Sequence, residues 1–270
     1  ANDLFWYGKG EVGLQKDMED PYSKITLGIG YGRVVNVTPM AKSVRMVEAL
    51  KERDLIDGDP SLEQFNNVAD IISRESEYRS KFGGEDYHQM WMEDIEKELG
   101  FDLNTRSVIK SYDVLTRERI STRKRGWLVR AGVGAVLTDY DGDNGKPALE
   151  IAGEYHVPIN YKTQFSDEAI ATAILDDGDD SYNFYNMMSL TYELSDLIDW
   201  ENAWQLNYLN QDDANDILTN TLSSTFRYYI SNVISLSITG QLVNVEDDID
   251  DNGNDDWDKS LFIGLTYRLK

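Results

Sequence analysis

The chain has no cysteine among its 270 residues. That absence removes disulfide frameworks, thiolate catalysis and cysteine zinc sites at once. No stretch approaches the ~20 consecutive apolar residues that a membrane-crossing helix requires, so a helical span is excluded. A membrane crossing by strands is not excluded, because alternating strands barely raise overall hydropathy. Positive charge is also scarce: 26 Lys and Arg stand against 49 Asp and Glu, a formal net charge of -23. Phosphate backbones would be repelled, so nucleic acid is not an expected partner. Cations, basic proteins and plain solvation remain. Only two histidines occur, His88 and His156, and no G-x-S-x-G elbow is present, which leaves little for nucleophilic hydrolysis. The sequence opens Ala1-Asn2-Asp3 rather than on Met, which suits a mature chain whose signal peptide has been removed and equally a chain trimmed in another way.

What is present is alternation. In the last fifty-odd residues Leu261, Ile263, Leu265, Tyr267 and Leu269 fall on one face and Ser260, Phe262, Gly264, Thr266 and Arg268 on the other. Ile234, Leu236, Ile238 and Leu242 repeat the pattern against Ser235, Ser237, Thr239 and Gln241, as do Leu218, Leu222, Phe226 and Tyr228 against their Thr, Ser and Arg neighbours. A period of two predicts strands with one apolar and one polar face. The same reading applies from Leu4 to Gln15, from Ile25 to Gly32, from Trp127 to Leu137, from Leu149 to Val157, across Tyr161–Leu175 (where Ser166-Asp167-Glu168 interrupts it), from Tyr182 to Leu194 and from Ile198 to Tyr208. The count is ten. Gly28, Gly30 and Gly32 on one face predict a close approach or a side chain filling the space above them.

At Thr38-Pro39 the period changes to that of a helix, with Thr38 as the expected N-cap and Pro39 at the first helical position. Val44, Val47 and Leu50 form one stripe, and a second helix is expected from Asp59-Pro60 with Leu62, Phe65, Val68, Ala69 and Ile72. A third is expected over 85–99, closed by Gly100, and a fourth over 104–116. Residues 38–121 therefore read as a helical insertion with its own core, set between strand regions 1–37 and 122–270.

The connections alternate in kind. Those near Pro158-Ile159-Asn160, Ser195-Asp196-Leu197 and Ser231-Asn232-Val233 are short. Those at Asp139–Asn144, Asp176–Asp180, Asp212–Asp216 and Glu246–Asp258 are acidic and longer. With apolar and polar faces, an even strand count and two kinds of connection, the chain resembles bacterial outer-membrane β-barrels. The resemblance implies an all-β transmembrane antiparallel barrel of about ten strands, apolar face on outer-membrane lipid, acidic loops extracellular, and helical insertion and termini in the periplasm. Leu269-Lys270 departs from the aromatic last residue usual in such barrels. The competing architecture is a soluble antiparallel sandwich or barrel whose apolar face packs inward.

The candidate sites follow from residue type and spacing. Asp248, Asp250, Asn252 and Gly253 match the core of a D-x-D-x-N-G calcium loop, with Asp256 as a later ligand, but position twelve is Lys259. Asp139, Asp141 and Asp143 begin a second such loop with Glu150 at position twelve, but Asn144 occupies the glycine position. Calcium at these surface loops is the one metal expected. Arg117, Arg119, Arg123, Lys124 and Arg125 before Trp127 form either a solvated basic turn or a collar toward lipid headgroups. Glu154 and His156 share the polar face as a carboxylate–imidazole pair, for which a structural role outweighs a catalytic one. Charges of both signs, such as Lys9, Glu11, Arg130, Glu150, Asp199 and Arg227, would pair across a narrow barrel and plug it. The expected function is non-enzymatic: a barrel anchoring a periplasmic helical domain as scaffold or component of an envelope or export assembly. A protein partner would be held through Phe65, Val68, Met90 and Trp91. The alternatives are a small-solute channel and an outer-membrane barrel hydrolase.

Overall fold

The computed structural model describes residues 3–16, 18, 20–84, 86–101, 103–140, 145–176, 180–210, 215–231, 233–247, 249 and 256–268. The alternating segments form ten strands: β1 (Leu4–Gly13), β2 (Tyr22–Asn36), β3 (Lys124–Thr138), β4 (Lys146–Asn160), β5 (Thr163–Ile174), β6 (Ser181–Ser195), β7 (Ile198–Asn210), β8 (Ile217–Tyr229), β9 (Ile234–Glu246) and β10 (Asp258–Tyr267). They make one antiparallel sheet in which spatial order is chain order, β1 through β10. Among the described residues no ladder joins β1 to β10. Strand β10 is exposed on both faces, Phe262 included, and Arg268 just beyond it is exposed too, so Arg268 does not line an enclosed interior as the alternation alone implied.

Register sets the faces. Trp6 stands opposite Ile29, Ile29 opposite Ala131, and Ala131 opposite Ile151. At the other end Phe226 faces Ile238, and Ile238 faces Ile263. This apolar face is open: Trp6 is 84% exposed, Val133 65%, Ile151 66% and Ile263 70%. The polar face is curled inward over β1 to β4. Lys9 on β1 reaches Glu150 on β4 at 2.9 Å, although three strand spacings separate them, about 14 Å on a flat sheet. Glycines permit the curl. A Cβ on Gly28 would lie 2.3 Å from the Ala131 carbonyl oxygen and 2.5 Å from the Tyr7 ring, and one on Gly30 would lie 2.3 Å from the Phe5 ring. The aromatic rings of Phe5 and Tyr7 thus occupy the space the glycines leave.

Between β2 and β3 come five helices: α1 (Thr38–Lys51), α2 (Leu62–Ser73), α3 (Glu75–Phe82), α4 (Tyr87–Leu99) and α5 (Thr105–Thr116). Their apolar stripes meet in one core that includes Met46, Leu50, Val68, Trp91, Ile95 and Val114. The ends are fixed by identifiable groups. Ser61 and Gln64 form a reciprocal capping box at α2, one residue beyond the expected Asp59-Pro60 start. Asn104 Oδ1 accepts from the Arg106 and Ser107 amides at α5, and Gly100 closes α4 in the left-handed conformation. At α1 the expected Thr38 cap is absent. The Thr38 hydroxyl instead accepts from the Arg123 amide, tying the entry of the insertion to its exit. Helix α3 has no buried residue and so no apolar stripe to announce it.

Candidate functional site

The helical core meets the sheet through buried charge. Arg45 on α1 donates to Glu193 at the end of β6 at 2.5 Å and to Asp196 in the following turn at 2.9 Å. Arg123 donates to the other Glu193 oxygen at 2.7 Å. The Ser121 amide also donates to Glu193, while the Ser121 and Tyr229 hydroxyls both donate to Asp199 at 2.9 and 2.7 Å. Arg45, Arg123, Glu193 and Asp199 are all buried. Burial lowers the Arg123 pKa, and the Glu193 and Asp199 charges oppose that shift. Arg123 is therefore not part of a collar toward headgroups. In the rest of that basic cluster, Arg117 pairs with Asp113, and Lys124 with Glu168. The helical domain thus docks at the sheet end that carries the short turns.

Along the polar face from this junction lie Glu154, His156 and Glu168. The ladder places Gly126 opposite His156, and Glu154 opposite Glu168. Gly126, at φ +120, has no side chain to compete with the imidazole. His156 is 1% exposed. Its Nε2 stands 3.4 Å from a Glu154 oxygen and 3.6 Å from a Glu168 oxygen, and its Nδ1 is buried with no hydrogen-bond partner. Arg130 holds the second Glu154 oxygen at 3.1 Å. One potential ligand atom from each of the three side chains lies within 4.8 Å of the others. Sequence reading found the Glu154–His156 pair but not Glu168, which comes from the strand whose alternation is most interrupted.

The other predicted residues fall elsewhere. Val68 and Trp91 are completely buried, and the Trp91 indole donates to the Ile71 carbonyl. Phe65 packs on the same core and Met90 is half-buried. Phe65, Val68 and Trp91 thus belong to the core and are not laid out as an open groove, and Met90 stands outside that cluster. An open groove of the helical domain lies between α4 and α5, about 600 Å³ in volume, lined by His88, Met92, Val108, Ile109 and Tyr112 among others. Ile109 is 57% exposed there. Of the calcium-loop residues, Asp248, Asp250, Asn252, Asp141 and Asp143 lie outside the described residues. Asp256 is exposed. Asp139 lies 3.5 Å from Lys146, and Glu150 turns onto the polar face to meet Lys9, away from that loop.

A family described as "Protein of unknown function, DUF481" matches residues 116–230, less than half of the chain. The match begins at the last residue of α5 and ends just after β8, so it covers the central meander and leaves α1 to α4 outside. No curated protein and no solved structure matches the chain.

Proposed function

We propose that the ten strands close into a barrel in a bacterial outer membrane and that the barrel anchors the helical domain on its periplasmic side, as the scaffold of an envelope or export assembly. The observation that carries this reading is the uncovered apolar face. Soluble proteins rarely leave contiguous apolar patches of more than a few hundred Å² open. Here, among the described residues, no helix covers a face that runs from Trp6 through Val133 and Ile151 to Ile263. Apart from Trp204 at mid-strand, many aromatic residues of this face lie toward its ends, as in interfacial girdles. Tyr31, Trp127, Tyr155, Tyr192 and Tyr228 lie near the short-turn end, and Tyr182, Phe184 and Tyr208 near the acidic loops. Several polar groups on this face bond one another: Asn186 donates to Asp167 at 2.6 Å, the Trp200 indole to Ser224 and the Trp204 indole to Asn220.

The scaffold role draws on the docking of the helices, since a domain meant to swing freely would not be fixed by buried ion pairs. The groove between α4 and α5 supplies a surface for a protein partner. The test is crosslinking in cells from Ile109→Cys, usable because the chain has no cysteine of its own. The scaffold reading expects adducts to one envelope protein, absent from an Ile263→Cys control. Ion conductance in planar bilayers without such adducts would favour the channel instead.

A further inference from the structure

We infer that Glu154, His156 and Glu168 form a binding site for one divalent transition-metal ion of the zinc type. The inference rests on the β4–β5 ladder alone and not on the membrane reading. As a purely structural residue His156 is poorly served. It is 1% exposed, Nδ1 has no partner, and Nε2 faces its two carboxylates at 3.4 and 3.6 Å. Good hydrogen bonds of this kind fall at about 2.7–3.2 Å. Those two spacings suit ligands of a common ion, and the two carboxylate oxygens lie within 4.8 Å of each other. Metal bonds of about 2.0–2.2 Å set at tetrahedral angles place ligand atoms about 3.3–3.6 Å apart.

The donor set selects the metal. One imidazole with two carboxylates suits zinc and its first-row neighbours, whereas calcium takes oxygen ligands alone. Two anionic ligands balance the charge of a divalent ion. Arg130, on the other Glu154 oxygen, orients that carboxylate as outer partners of metal ligands do. Lys124 reaches Glu168 at 3.4 Å, with both side chains partly exposed, and an ion on this oxygen would displace it. Three protein ligands leave a fourth position for water or a small anion.

The experiment is titration of the full chain in detergent micelles, first stripped with a chelator, with cobalt and then zinc. The expected result is one equivalent of cobalt with the visible spectrum of a four-coordinate site, displaced by zinc. Glu168→Gln, which keeps the size of a half-exposed side chain, should weaken binding by about tenfold or more, and His156→Ala by at least about the upper end of the 10–100-fold that loss of an outer partner alone costs. Asp256→Asn in the acidic loop should bind as the parent does. Absence of stoichiometric uptake, or uptake unchanged by Glu168→Gln in a folded protein, would overturn the assignment and leave an imidazole between two carboxylates as a packing feature.

Discussion

Glu193 ties the helical insertion to the sheet, because one carboxylate serves two guanidinium groups that come from different parts of the chain. Removing it leaves Arg123 buried without its ion-pair partner, while Arg45 keeps Asp196 at 2.9 Å and Glu118 at 3.8 Å. Breaking a buried pair in this way costs about 3–5 kcal/mol. Glu193→Gln should lower the denaturant stability of the whole chain by that order, while Arg117→Ala, which breaks the exposed pair with Asp113, should change it by about 0–1 kcal/mol. A second test at this scale uses pH. Burial, followed by the hydrogen bond and charge of Asp94, pushes the Tyr78 phenol up from 10.0 to about 12. A pKa raised in the fold means stability fully present below pH 10.0 and lost as pH rises toward about 12. Helical circular dichroism under mild denaturant should therefore weaken across that interval, and Tyr78→Phe should flatten that part of the curve. An unaltered curve in the variant would assign the alkaline loss to other groups.

At the scale of elements, strands and helices differ in how openly the sequence declares them. Alternation between Trp127 and Leu137, or between Ile234 and Leu242, needs no partner to be read, and the ten antiparallel strands of one sheet agree with that count. What alternation cannot give is register and curvature, which is why Glu168 was not placed beside His156. Residues 148 positions apart, Arg45 and Glu193, share no local signal whatever. Helix α3 was missed for a different reason. Its sequence, ESEYRSKF, buries nothing, and its contacts are made by rim side chains such as Tyr78 with Asp94 and Arg79 with Tyr87. The groove between α4 and α5 escaped because an apolar stripe shows which residues leave water but not which neighbouring helices stay apart. Curvature itself is testable. Gly28→Ala forces a Cβ against backbone of β3 where no flexible side chain can yield. Overpacking of this kind costs about 1–3 kcal/mol, and the loss should appear in the melting of the sheet.

The whole molecule is organised by the contrast between a core-forming helical domain and a sheet whose apolar face is left uncovered. In a water-soluble sandwich that face would meet a second layer. Here the helices are tied to the end of the sheet by Arg45 and Arg123 and turn their own apolar stripes on one another. Closure of the sheet and insertion in a bilayer would account for both arrangements together. The absence of native cysteine allows a single spin label at any position, and the decisive comparison sets Ile151→Cys on the apolar face against Ser189→Cys on the polar face, in vesicles. The account predicts that the label at 151 is reached preferentially by oxygen dissolved in the lipid, and the label at 189 by a water-soluble nickel complex. Equal access of both labels to the nickel complex, or a label at 151 sheltered from both reagents, would contradict it.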